Sequence, residues 1–548
     1  MELAHPFTKA IDRSISRAKS KQRRAQNLVT EKRAEYSLTY LFAGLLAALF
    51  IFHFGKFIDH ASPALVDDHD IIYALGKKST ASLLEQWTDL KNTDEYQELA
   101  QRGKATRFRP AFYPFKSLQT YLWGDNFRLW YVATFIMYIA TTTLILFLLL
   151  RTFGVTSALV FAVFYLGHKT WADILPRLGP VEIECIFVGT ILIWMLWQWI
   201  EDDSKTALYL SVPTALVFGA MKEADSVLMI AIGGLTLVGG LLTSRRRMVI
   251  ASVVLLSAGI AVFAVLISIT ANAAKTGLIS PQGPWESYRG NLDQTGWLTG
   301  VLVQLVLAAG VLRYFGKLKM DWTELLALLV ACLSIEAMRF TIYYISFSMT
   351  YGGYNDAVGM RYGYPLALLQ SIVAAIVFGR ITQLAEPGIA AGVKILALGC
   401  IVAMIVMNEG LLSPATLTSR DWWFKFNGDA ERVIGEAADL LLEARKQGKN
   451  PVLLATGPSL DWEPKLSLML FLRRKMPDSD VYFDPNEHST SPERDRRESI
   501  RFGGTPMSPE DRQTLLARGC IDVHVDDTPY TNPDCKVLEI SLANRPRP

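Results

Sequence analysis

The feature that most limits what this chain can become is a succession of apolar runs. Most are close to the roughly 20 residues needed to cross a hydrocarbon core about 30 Å thick. They fall near residues 38–59, 128–150, 155–168, 182–200, 207–221, 227–243, 248–270, 296–315, 322–345, 364–380 and 391–410. The runs at 155–168 and 207–221 are the shortest. A chain of 548 residues that is 51% hydrophobic, with mean hydropathy +0.23, is too apolar for an ordinary soluble protein of this size. The expected fold class is a polytopic α-helical membrane protein of about 11 transmembrane helices, followed by a soluble α/β domain at the carboxyl end.

Charge sorts along the chain rather than summing to anything informative. Lys and Arg number 55 against 52 Asp and Glu, a net +3 that gives nucleic-acid binding no support. In the basic leader, residues 1–35, Arg13, Arg17, Lys19, Lys21, Arg23, Arg24, Lys32 and Arg33 precede the first run and should stay cytoplasmic. Strict alternation then brings Arg151, Lys205, the triplet Arg245 to Arg247, Arg313, Lys317, Lys319 and Arg380 to that same side, as the positive-inside rule requires. No small-residue cleavage site follows the first run, so it is expected to remain as an anchor. The resulting expectation is a multi-pass protein of a bacterial inner (plasma) membrane, with a cytoplasmic amino end and a periplasmic or extracellular carboxyl domain.

Two large segments fall outside. The first loop, 60–127, holds a helix-compatible stretch from Ser79 to Gln101 whose Leu83, Leu84, Trp87, Leu90 and Tyr96 can form one apolar face along the membrane surface. The second, 411–548, alternates a helical pattern (429–447), an apolar strand (451–456), a second helix (465–475) and strands around 481–484, 521–525 and 537–542, with a charged, loop-like stretch over 485–508. Of the 5 cysteines, Cys185, Cys332 and Cys400 lie in apolar runs and read as small buried hydrophobes. Cys520 and Cys535 can form a disulfide if their domain lies in an oxidising compartment. There is no spacing suited to a structural zinc site.

Polar residues next to the outer membrane face gather into four clusters. The first, VDDHDII, places Asp67, Asp68, His69 and Asp70 just beyond the first run. Crowded carboxylates repel one another, so one can be poised as a proton acceptor near neutral pH, or together they can hold a divalent cation. The same acids also suit a capped turn opening a helix. The second, ATRFRPAFYPF, carries Arg107 and Arg109 before Pro110 and a run of aromatics. Guanidinium forks match phosphate oxygens, although an interfacial anchor has the same composition. The third joins GHKTWADILPRLGPVEIE, with His168, Lys169, Arg177, Glu182 and Glu184, to MKEADS, with Lys222 and Glu223. Snorkelling explains Lys169 more readily than Lys222 or Glu223 in so short a turn. In the fourth, counting from Asp321 at about 1.5 Å per residue puts Glu336 roughly 22 Å and Arg339 roughly 27 Å along a helix, where they must pair or face a cavity. The loop YGGYNDAVGMRYGYP then adds Tyr351, Tyr354, Asp356, Arg361 and Tyr362, with aromatics able to stack on a sugar ring.

Taken in this order on one membrane face, the acids of VDDHD, the surface helix, the RFRP segment and the KE pair of MKEAD resemble the GT-C superfamily of integral-membrane glycosyltransferases. The resemblance covers most of residues 36–410 and makes that span a catalytic membrane domain; the α/β region lies outside the shared core. It implies an inverting transfer of a sugar from a polyprenyl-phosphate donor to an acceptor on the outer face. It implies that Asp67 or Asp68 acts as base, and that Arg107, Arg109, Lys222, Arg339 and Arg361 are the candidates for holding the donor phosphate. His168, Arg177, Glu223, Tyr354 and Tyr362 are expected to support the substrate. Asp70 departs from the family pattern and leaves room for a divalent cation with Asp67 and Asp68, although no cofactor is required. The expected partners are the lipid-linked donor, membrane lipids and a glycan, lipid or protein acceptor, with no nucleic acid.

The main rival is a transporter or flippase for a lipid-linked sugar or another solute, which should show midplane charges and repeated broken helices. Neither pattern is visible. A polymerase or ligase of the O-antigen type usually places its large external loop late, whereas the acids here come early. A sensor anchored by about eleven spans is extravagant. The segment GPSLDWEP after the 451–456 strand lacks the glycine pattern of a nucleotide loop and is read as acceptor docking or packing.

Overall fold

The computed structural model describes most of residues 43–65, and 109–168, 170–275, 284–340, 363–406, 414–457, 462–483, 504–526 and 530–541, with a few isolated positions besides. Helix α1 ends the first apolar run over 51–59. Then come α2 (Phe112–Trp123), α3 (Phe127–Leu166), α4 (Trp171–Ile174), α5 (Glu182–Asp202), α6 (Lys205–Gly219), α7 (Glu223–Leu242), α8 (Arg246–Lys275), α9 (Pro284–Tyr314), α10 (Trp322–Phe340), α11 (Tyr364–Leu384) and α12 (Pro387–Val406). A helix overlaps every expected apolar run. By length and composition 6 of the described helices can cross a membrane: α3, α5, α7, α9 and α11, and α8 over Arg246–Ile269. Exposed apolar side chains such as Tyr209, Val253, Leu307 and Ile395 coat the bundle, as a lipid-facing surface requires.

Helix α3 is really two helices. Gly154 interrupts it with φ 79° and ψ −177°, a conformation that essentially only glycine adopts. Tyr138 and Tyr165 are 27 positions apart, about 40 Å along a straight helix, yet their rings stack at 5.8 Å. The chain therefore doubles back at Gly154, and the short run at 155–168 is the returning arm. Gly379 of α11 approaches this turn so closely that a Cβ would sit 2.6 Å from Ser157 Cβ and 3.0 Å from Phe153 O.

The two ends of the bundle differ. At one, Arg151 lies over the Trp197 ring at 4.6 Å, Arg247 meets Asp203 at 3.0 Å, Lys317 meets Glu386 at 3.4 Å and Gln383 reaches Thr152 O. The basic turns expected on one side are thus neighbours in space. At the opposite end lie α2, α4, the first turns of α5, α7 and α11, and the last turn of α10.

Helix α13 (Pro414–Lys446) leads into the carboxyl domain, starting well before the 429–447 pattern that announced it. The domain contains β1 (Val452–Thr456), α14 (Trp462–Lys475), β2 (Val481–Phe483), β3 (Gly504–Pro506), α15 (Pro509–Leu516), β4 (Cys520–Asp526) and β5 (Cys535–Ser541). The five strands form one parallel sheet in the order β3-β2-β1-β4-β5. Strand β3 corrects the loop-like reading of 485–508. Its three residues, Gly-Thr-Pro, show no alternation, and pairing with β2 supplies what propensity does not. Cys520 and Cys535 face each other in register and form a disulfide. Cys185, Cys332 and Cys400 are free and buried.

The domain docks on the polar end of the bundle. Arg474 of α14 reaches Asp125 at 3.4 Å, Asn427 Nδ2 donates to Pro176 O at 3.3 Å, and Arg177 lies over Trp423 at 4.6 Å. Lys56 of α1 pairs with Asp421.

Candidate functional site

The first turns of α5 and α7 each carry two acids, Glu182 with Glu184 and Glu223 with Asp225. All four are buried. Helix N-termini favour negative charge by about 0.3–1 kcal/mol each, far less than the cost of burying a carboxylate without a partner. Each of the four therefore has one.

Glu184 accepts from Lys116 Nζ at 3.1 Å and Gln119 Nε2 at 3.0 Å, both one turn apart on α2. Lys116 also donates to Leu178 O at 2.7 Å. Glu182 pairs with Lys222, the residue just before α7, whose ammonium lies 5.2 Å from the centre of the Tyr364 ring. Both Glu223 oxygens lie 3.2 Å from Arg109 Nε, and the backbone bond from Ala111 N to Ala220 O, 3.1 Å, draws the Arg109 segment against the α6–α7 turn. Asp225 accepts from the Tyr364 hydroxyl at the start of α11. Beside these, Arg177 and Asp173 form a wholly buried pair across α4. His168 Nδ1 bonds Thr170 Oγ1 at 2.8 Å.

The structure thus brings Arg109, Lys222, Glu223, Arg177 and His168 to one end of the bundle. It also pairs Arg339, at the end of α10, with Glu336 at 3.3 Å. The four described cations expected to meet phosphate or substrate, Arg109, Arg177, Lys222 and Arg339, are all engaged with carboxylates. Arg109 is the most open of them, its side chain 11% exposed against 2% for Lys222 and 0% for Arg177 and Arg339. Asp67, Asp68, Asp70, Arg107, Arg361, Tyr354 and Tyr362 lie outside the described residues, as do His69, Lys169 and the 79–101 stretch apart from Ser82 and Leu84. Among the described residues no group of three or more His, Cys, Asp or Glu side chains is arranged to hold a metal ion.

Lys116, Gln119, Asp173, Asp225 and Tyr364 are members of this cluster that the sequence reading passed over. A signal existed for Asp225, which follows Glu223 in MKEADS. Lys116 sits in the aromatic run FYPFK, and only the fold shows that α2 lays it on Glu184.

Below the charges lies a narrow apolar cleft between α5, α6, α7, α8 and α11, lined by Ile186, Gly189, Phe218, Met229 and Leu255 among others, and by Tyr364. Tyr364 joins the two environments, because its ring walls the cleft while its hydroxyl binds Asp225. No protein-family model matches this chain, and no curated protein matches it in sequence.

Proposed function

We propose that the protein is an inverting membrane glycosyltransferase that moves a sugar from a polyprenyl-phosphate donor to an acceptor on the outer face of the membrane. One observation carries the reading: an apolar cleft ends at Tyr364, where a buried cluster of alternating cations and carboxylates begins. A lipid with a charged head and a long apolar tail has that same division. The GT-C resemblance and the docking of a disulfide-bonded domain on the polar end add support, since disulfides persist in oxidising compartments.

In the proposed reaction a carboxylate, Asp67 or Asp68, takes the proton from an acceptor hydroxyl as its oxygen attacks the anomeric carbon. The bond from that carbon to the phosphate oxygen breaks, its electron pair leaves with the phosphate, and the anomeric centre inverts. Fixed cations stabilise the departing charge. Arg109 is the best placed of the described cations, because its side chain is the most open of them to an incoming phosphate. Arg107, Lys222, Arg339 and Arg361 are the further candidates. Arg177, which lies over the Trp423 ring, supports the substrate together with His168, Glu223, Tyr354 and Tyr362. A divalent cation at Asp67, Asp68 and Asp70 is an optional addition.

The test is mass spectrometry of lipids retained by gently purified protein, comparing wild type with the Arg107→Ala, Arg109→Ala double variant. Polyprenyl phosphate or its sugar conjugate should be present in wild type and depleted in the variant. Bulk phospholipid alone, equal in both, would overturn the donor assignment and make solute flux the next assay. With a donor in hand, Asp67→Asn or Asp68→Asn should abolish transfer in folded protein. Full activity in both single variants would remove the base.

A further inference from the structure

Helix α13, which leads into the carboxyl domain, is fastened to α1 by one compact set of contacts. Arg420 Nη1 lies 3.1 Å from His53 Nδ1 and 3.3 Å from His53 O. Its Nε and Nη2 donate to Asp421 Oδ1 at 3.0 and 2.8 Å. Lys56 of α1 pairs with that same oxygen, and its ammonium lies 4.4 Å from the centre of the Phe424 ring. Phe57 and His60 meet the Phe424 ring edge-on at 5.4 and 5.8 Å.

The protonation state of His53 follows from its partner. A guanidinium has only donors, so Nδ1 must accept, and the ring must be neutral with its proton on Nε2. That nitrogen is buried without a hydrogen-bond partner among the described residues, and His53 as a whole is 3% exposed. The charged and titratable groups around it are Lys56 and the exposed Asp59 and His60 on α1, and Arg420, Asp421 and the exposed Lys425 on α13. Helix α3 meets α1 with the rings of Tyr131 and Phe135, and the Tyr131 hydroxyl donates to Ser62 O and Pro176 O. One carboxylate oxygen therefore serves two cations, and no second carboxylate stands at the ring among the described residues.

A second proton on the ring would set an N–H against an N–H and add a third positive charge beside Arg420 and Lys56, where low local dielectric strengthens the repulsion. Asp421 has nothing further to offer: partial burial works against its charge, yet hydrogen bonds from Lys56 and Arg420 hold its pKa below the ordinary carboxylate value, so it is already ionised. We infer that His53 and Arg420 form an acid-released clamp, closed while the ring is neutral and holding the start of α13 on α1, and opened when the ring takes up a proton. The clamp ties the helix that leads into the carboxyl domain to the helix whose chain reaches Asp67 only eight residues after Asp59. It does not depend on the transferase reading.

The test is hydrogen exchange of full-length protein in lipid nanodiscs, read by mass spectrometry and corrected for intrinsic rate, at about pH 7.5 and about pH 5.5, either side of the ordinary imidazole value. Protection of the α13 stretch around Arg420 should fall about tenfold on the acid side, the loss expected for one hydrogen bond to a charged group. Protection of β1 and β4 should hold. His53→Asn, whose Oδ1 accepts from Arg420 without titrating, should keep its protection at both values. Arg420→Gln removes the repelling cation, so it should start from lower protection and show no acid step, which keeps the test decisive if His53→Asn fails to fold. Equal protection of the wild type at both values would overturn the clamp. The same fall in His53→Asn or Arg420→Gln would also overturn it, by assigning the step to His60 or another group.

Discussion

Lys116 and Glu184 show what a buried charge demands of its surroundings. Both are almost wholly removed from solvent, 3% and 4% exposed at the side chain, and Gln119 and Leu178 O complete their bonding. Replacing Lys116 by Met keeps the volume and strands the carboxylate, which should cost about 3–5 kcal/mol. The double variant Lys116→Met, Glu184→Leu should regain most of that, because it removes the uncompensated charge as well as the pair. Thermal unfolding in detergent measures both, and a double variant no more stable than the single would show that Lys116 holds α2 by packing alone. The acids at the starts of α5 and α7 were legible as a polar turn. Their partners were not, because Arg109 and Glu223 are 114 positions apart, and Lys116 and Glu184 are 68 apart. Sequence spacing carries no trace of contacts that only helix packing creates.

At the scale of elements, Gly154 decides how α3 runs. The separate apolar runs at 128–150 and 155–168, with Arg151 between them, already mark two arms; the break itself rests on one backbone conformation at Gly154 that is closed to other residues. Gly154→Ala should therefore cost about 1–3 kcal/mol and loosen the stack of Tyr138 on Tyr165, checked by the unfolding midpoint and by proteolysis of the turn. An unchanged midpoint would mean that the turn tolerates a Cβ. The strands of the carboxyl domain were better marked. Val452–Thr456 is an unbroken apolar or β-branched stretch, the pattern of a strand buried in a parallel sheet, and Cys520–Asp526 alternates Ile521, Val523 and Val525 with polar residues at the strand period. Strand β3 and helix α15 lack such a pattern, and pairing with β2 and packing against the sheet define them.

For the whole molecule, the two ends of the bundle predict opposite accessibilities. The basic turn around Arg246 should react from the cytoplasmic side and Ser479, beside α14, from the other. Single-cysteine labelling of Arg246→Cys and Ser479→Cys, in a chain lacking Cys185, Cys332 and Cys400, tests this in sealed vesicles. Labelling of both from one side would sink the proposed orientation. Reducing Cys520–Cys535, a link across a separation of 15 residues, should cost the carboxyl domain about 3 kcal/mol by the loop-entropy account.

The amino-acid sequence by itself determined the membrane class, the basic end and the presence of an α/β domain. Each of these follows from local composition read against the thickness of a bilayer or the period of a helix or strand. The tertiary structure alone decided which carboxylate meets which cation, where the apolar cleft meets them, and that Arg420 of α13 falls on His53 of α1. Those are contacts between residues distant in the chain, set by how helices and strands pack rather than by what their neighbours in sequence are.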